Sequence, residues 1–190
     1  MLRLCHAHTV RPDAYGSYDS RPPGSSRTAF NSQSTCTVNE VKTLIIGFGN
    51  PILCDDGVGN HIAKALAKRI NRSDVTIIET SSAGLDIVDL LPGYDKVIII
   101  DAIMTGKGKP GLIHRLSSSE LNSTLHSVSL HDISLGSAIE LGKRLGNRIT
   151  ERITIFGIEV QNIDTFSDTC TVEVQSAVPE CIGLILNELD

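Results

Sequence analysis

Lys96-Val97-Ile98-Ile99-Ile100-Asp101 is the stretch that most limits what this chain can become. A β-branched run with no polar alternation does not suit a sheet with one wet face, so its strand must be covered on both sides. Apolar segments at about 42–47, 75–79, 112–116 and 153–158 supply further strands, the third an edge strand. Between them apolar residues recur every 3.6 positions. Val58, Ile62, Ala65, Leu66 and Ile70 mark a first helix, and Leu85, Val88, Leu90 and Leu91 a short second one that stops at Pro92-Gly93. Ser129-Leu130-His131-Asp132 is a Ser-x-x-Asp capping box opening a helix to about 146, with Leu135, Ala138, Ile139, Gly142 and Leu145 turned inward. The final helix buries Val174, Ala177, Val178, Cys181, Ile185 and Leu189, and Pro179 either kinks it or marks its real start. The order βαβαββαβα predicts a single three-layer α/β/α domain with a mainly parallel twisted sheet.

This domain is expected over residues 41–190. Residues 1–40 are rich in Ser, Arg, Pro, Gly and Thr, show neither period, and read as a disordered or misassigned extension. The abrupt onset at Val41-Lys42 favours a valine-type start there over an organellar transit peptide, and the tail lacks the apolar core of a secretory signal. A net charge of −5 without a dense basic block argues against nucleic acid as partner. No apolar run approaches the roughly 18 residues of a membrane span. The five cysteines are scattered, with no Cys-x-x-Cys pair, which fits free thiols in a reducing cytosol. A cytoplasmic monomer is the expectation.

The chemistry concentrates in Gly47-Phe48-Gly49-Asn50-Pro51-Ile52-Leu53-Cys54-Asp55-Asp56-Gly57-Val58-Gly59, a strand-loop-helix junction. In an open parallel sheet, ligands bind beyond the carboxyl ends of the strands. A dinucleotide fingerprint fits poorly, since its third glycine falls at Ile52 and a pyrophosphate would meet Asp55 and Asp56. No Gly-Lys-Ser/Thr follows, which excludes a P-loop. Asp56, Asp101 and His131 instead follow strands or open helices; the shared edge of a parallel sheet lets Asp56 and Asp101 converge, and His131 sits in the first turn of its helix. Two carboxylates and a neutral imidazole suit Ni, Zn, Mn or Fe better than Mg or Ca. Plainer roles compete. Asp55 or Asp56 can cap the first helix, Asp101 can form a turn, and His131 can belong to its capping turn. Cys54 reads as a packing residue, His61 and His114 as surface or satisfied-core residues, and His126 as a loop residue.

The opening junction, with Ile99-Ile100-Asp101-Ala102 and Ser129-Leu130-His131-Asp132, resembles the signature blocks of the hydrogenase maturation proteases. Phe156-Gly157-Ile158-Glu159 and Thr171-Val172-Glu173-Val174 resemble later blocks, so the resemblance spans about 42–189. It implies an endopeptidase that trims the C-terminal extension of a nickel-loaded [NiFe] hydrogenase large-subunit precursor. Asp56, Asp101 and His131 fall on the family's metal ligands and would be both the catalytic and the metal-binding residues. Nickel would arrive with the substrate, with Zn or another divalent ion as a possible surrogate. The first ligand is often glutamate in the family and is aspartate here. Glu159-Val160-Gln161 replaces a frequent Glu-Pro, and no site is assigned there. By position, Asn50 and the Thr80–Gly84 loop would line the cleft. The alternatives are an idle metal-sensing or docking module using the same ligands, and a nucleotide-using oxidoreductase.

Overall fold

The computed structural model describes residues 40–81, 86–106, 108–117, 120 and 135–189. The prediction for residues 1–40, Glu40 apart, lies outside this set, as do Ser82–Leu85 and the whole of Ser129–Asp132. Val38–Asp190 forms one compact unit.

Strand β1 (Thr43–Phe48) is buried at every position. It has to be, because it lies between two parallel neighbours, β2 (Val75–Thr80) and β3 (Lys96–Ile103), and under helices on both faces. The sheet runs β2-β1-β3-β5-β4, with β5 (Ile153–Glu159) parallel to β3 and β4 (Ile113–Ser117) antiparallel at the edge. Successive residues on a strand face opposite sides. Leu44, Ile46, Val97 and Ile99 therefore enter one core, while Ile45, Ile98 and Ile100 enter the other. Helices α2 (Asp86–Leu90) and α3 (Leu135–Arg144) close the first, α1 (Val58–Ala67) and α4 (Val172–Leu189) the second. The observed order is the predicted βαβαββαβα in three layers.

Several details differ from expectation. Strand β3 does not end at Asp101 but continues to Ile103, because Ala102 and Ile103 still pair with Ile158 and Glu159. Leu145 is 72% exposed, since α3 stops at Arg144. Pro179 does not start the last helix. It lies inside Val172–Leu189, whose first turn is already in place when Gln175 N–H bonds Thr171 carbonyl. No helix among the described residues is long and apolar enough to cross a membrane.

Candidate active site

Parallel pairing fixes where the carboxyl ends of the strands lie. Gly47 is level with Ile100, so Phe48 at the end of β1 is level with Asp101 on β3. Helix α1 must then start directly over this edge, and glycine permits it. A Cβ on Gly59 would fall 2.2 Å from the Phe48 carbonyl oxygen and 2.6 Å from that of Ile100. Gly49 turns the chain at φ +131, with its α-carbon so close to the Asp56 carbonyl that a Cβ would sit 1.8 Å away. The two glycines serve close packing of loop and helix on the strands, the alternative to a phosphate cradle.

Between them Cys54–Gly57 forms a single 3-10 turn. At three residues per turn, adjacent side chains diverge by about 120°, so Asp55 and Asp56 point different ways. Asp56 is 6% exposed. Its Oδ2 accepts the Asn50 N–H at 2.6 Å, which closes the loop over six residues and leaves Oδ1 available at the sheet edge. Asp55 is fully buried. Its Oδ1 accepts the Thr171 N–H at 2.7 Å and the Thr171 hydroxyl at 2.8 Å, and its Oδ2 accepts the Asn162 N–H at 3.2 Å. Neither carboxylate caps the helix: no side chain bonds at the start of the 3-10 turn or of α1. The capping role expected of Asp55 is thus replaced by a brace on a loop more than a hundred residues away in sequence.

Cys54 has φ 43, the left-handed region that side chains avoid. Its N–H bonds the Ser167 carbonyl at 2.9 Å and the next N–H, of Asp55, bonds the Asn162 carbonyl at 3.0 Å, so the loop 162–167 holds the turn in this shape. The Cys54 side chain is buried and packs as expected.

Asp101 sits within the ladder opposite Gly157, half-buried, and shares the strand face of Val97, Ile99 and Ile103. That is the α2/α3 side of the sheet. A paired residue inside a strand is not a turn former. Asp56 and Asp101 thus come to one edge of the sheet. His131 lies outside the described residues, and among those described no three His, Cys, Asp or Glu side chains gather as a metal cluster.

Other residues at this edge carry no sequence signal. Asn60 donates through Nδ2 to the Gly49 carbonyl at 2.6 Å, and its Oδ1 is buried without a partner. Glu159, 2% exposed, accepts from Thr105 N–H at 2.9 Å, Thr105 hydroxyl at 2.8 Å and Gly106 N–H at 3.1 Å. It anchors the loop that leaves β3, with His114 Nε2 3.5 Å from its Oε2. His61 and His114, expected to be surface or satisfied-core residues, are both half-buried with Nε2 making no hydrogen bond. A cavity of about 600 Å³ lined by Tyr94, Asp95, Lys143, Arg148 and Glu151 opens at the opposite edge of the sheet, before β3 and β5, away from both aspartates.

Comparison with known proteins agrees with this geometry. The hydrogenase maturation protease (HycI) family matches residues 60–188. A putative hydrogenase maturation protease of Methanocaldococcus jannaschii is 30% identical over 152 residues, 77% of this chain and 95% of that protein. The Escherichia coli hydrogenase 2 maturation protease is 26% identical over 126 residues, 65% of this chain and 76% of its own. The solved structure of the hydrogenase maturating endopeptidase HybD from E. coli superposes with a TM-score of 0.70 at 25% identity, covering 78% of this chain and 91% of that one. The [NiFe] hydrogenase maturation protease HybD from Thermococcus kodakarensis gives 0.65 at 26% identity, over 78% and 99%. A family match across most of the ordered domain, on the fold and strand edge just described, leads to one conclusion: the chain belongs to the hydrogenase maturation protease family and is a peptidase.

Proposed function

We propose that this protein removes the C-terminal extension of a [NiFe] hydrogenase large-subunit precursor that already carries nickel. The observation that carries the reading is the delivery of Asp56 and Asp101 to one strand edge in a chain of the maturation protease family. The donor set fits a divalent borderline ion: Asn50 N–H holds one oxygen of Asp56 and leaves the other available, and Asp101 adds a second anionic group. His131, at the family's third ligand position, would complete the set. Nickel on the incoming precursor is part of the substrate in this reading, and Zn or another divalent ion could stand in for it. An ion held there supplies polarisation of a carbonyl or activation of a water. The chain's own contribution is to pin Asp56 through Asn50, keep both carboxylates in register, and hold the polypeptide against them.

The test incubates the full-length protein with a nickel-loaded, C-terminally extended large subunit and follows the subunit by intact mass. A shortened subunit is expected, and an unchanged one overturns the protease assignment. Asp56→Asn, Asp101→Asn and His131→Ala should each abolish cleavage while the circular dichroism spectrum stays native. Full activity in any of them removes that residue from the site. Binding without cleavage by the wild type would favour the idle docking module instead.

A further inference from the structure

Ile52 and Phe166 are 54% and 81% exposed. Leu53 and Ser167 form a parallel bridge, with Ser167 N–H on the Ile52 carbonyl at 3.0 Å and Cys54 N–H on the Ser167 carbonyl at 2.9 Å. In that register Ile52 is the neighbour of Phe166, and neighbours in register share a face. Two large apolar residues, Ile52 on the loop that carries Asp56 and Phe166 on the loop 162–167, are therefore brought side by side by the bridge. Val172, 78% exposed, follows Thr171, which bonds Asp55 through both its N–H and its hydroxyl. Scattered apolar residues on a surface need no explanation. These three differ because the backbone next to each is fastened to the turn that bears Asp56, by the β-bridge at Leu53 and Ser167 and by the fully buried Asp55 carboxylate at Thr171.

The segment 162–173 that carries Phe166 and Val172 contributes only negative charge, with the exposed Lys109 near its end, two residues from Gly111, which packs on the Glu173 backbone. Asp164, Asp168 and Glu173 are exposed between and beside Phe166 and Val172, and none of the three has an ion pair among the described residues. No Lys, Arg or His occurs after Arg152. This field disfavours an anionic membrane surface. It also disfavours a second copy of the same face, because a two-fold contact would bring carboxylates to carboxylates.

We propose that Ile52, Phe166 and Val172 form the docking surface for the polypeptide substrate, and that the segment seated there is apolar with flanking Lys or Arg. The proposal rests on the protease reading and deepens it. Docking would occur on the Asp56 loop at Ile52 and on the loop 162–167 bonded to it, so a partner gripped at Phe166 is held next to the turn that bears Asp56.

Binding of the wild type to the nickel-loaded precursor, measured by calorimetry at low and high salt, should weaken as salt rises. Phe166→Ser should raise Kd about tenfold, as loss of an aromatic anchor does. Asp164→Lys with Asp168→Lys should weaken binding and remove most of the salt dependence. In a cleavage assay Phe166→Ser should raise KM, and its unfolding temperature should match the wild type because the side chain is already in water. Wild-type affinity in Phe166→Ser, or undiminished salt dependence in the double lysine variant, overturns the docking surface and leaves the protease reading standing. Binding that Phe166→Ser weakens, with no cleavage by the wild type, keeps the surface and overturns the protease reading. Absence of precursor binding overturns the surface, as does a wild-type dimer in sedimentation that Phe166→Ser dissolves.

Discussion

Asp55 is the residue through which the structure can be tested most sharply. Replacing it by Ala removes the acceptor from Thr171 N–H, Thr171 hydroxyl and Asn162 N–H at 2.7, 2.8 and 3.2 Å. Hydrogen bonds to a charged acceptor contribute about 1.5–3 kcal/mol each, and a donor stranded without one costs about 1–3 kcal/mol. Thr171 and Asn162 are only half-buried, so water can reach part of the gap. Removing the buried charge also recovers some desolvation energy. The balance is a loss of about 3–4 kcal/mol for Asp55→Ala, a large share of the 5–15 kcal/mol or so that holds a domain together. Asp55→Asn keeps an oxygen towards Thr171 but turns an NH2 group on the Asn162 N–H, so it should cost less, about 1–2 kcal/mol. At about 2–4 °C per kcal/mol for a domain of this size, Tm should fall by about 6–16 °C for Ala and about 2–8 °C for Asn. Urea denaturation gives the free energies. Amide hydrogen exchange should show faster exchange at Thr171 and Asn162 in both variants. An Ala variant within about 0.5 kcal/mol of wild type would refute the brace, and so would an Asn variant as damaged as Ala.

Gly59→Ala drives a methyl group into the Phe48 and Ile100 carbonyl oxygens, which belong to buried strands that cannot give way, so a loss of about 3 kcal/mol or more is expected in the same urea assay. Glu188 near the end of α4 bonds Arg115 and Lys96; burial works to raise its pKa, but those two cations overcome it and hold the carboxyl below its ordinary 4.5. Its contribution to stability is therefore complete above pH 4.5 and fades as pH falls through the lower folded value; Glu188→Gln should flatten the acid limb of the urea midpoint plotted against pH. Burial pushes the Cys170 and Cys181 thiols up to about 12, with Asp55 and Cys54 adding to the effect on Cys170 and Glu180 on Cys181. Neither should be alkylated by iodoacetamide at pH 8 until denaturant is added, as read by peptide mass spectrometry, because the thiolate is the reactive form.

How much of this was legible beforehand follows from the range of the interactions concerned. Lys96–Asp101 announced a doubly covered strand because burial on two faces writes itself into consecutive residues, and the layers, the helix order and the edge position of β4 followed, though not its antiparallel direction. Element ends were read less well. The pairing that carries β3 to Ile103 is supplied by β5, not by anything in β3 itself. Leu145 fits the apolar period of α3, but the helix has ended before it. Asp56 and Asp101 were legible as a pair because the ends of parallel strands share an edge. Asn60 and Glu159 were not. Each acts by bonding backbone brought near by folding, the Gly49 carbonyl in one case and Thr105 and Gly106 in the other, and no spacing in the sequence encodes that.

Asp55 shows the same limit most clearly, because its neighbour has the same chemistry. From the sequence, two adjacent aspartates before a helix offer a cap and a ligand, Asp55 reading as the cap and Asp56 as the ligand, but no side chain caps the turn or α1. The 3-10 turn separates their roles by rotating them about 120° apart. One carboxylate goes inward to Thr171 and Asn162, and the other stays at the edge with a single backbone bond from Asn50. The inward one cannot serve as a ligand, since its oxygens are already taken by the Thr171 N–H and hydroxyl, the Asn162 N–H and the Cys54 thiol. The outward one would be less well fixed without it, because the loop that Asp55 binds also holds the strained turn at Cys54 through the Ser167 and Asn162 carbonyls. The pair is therefore one device: Asp55 ties the loop bearing Phe166 to the turn, and the turn aims Asp56. Exchanging the roles would require reversing the turn, so Asp55→Asn should weaken substrate docking and cleavage together, whereas Asp56→Asn should abolish cleavage with the loop still in place.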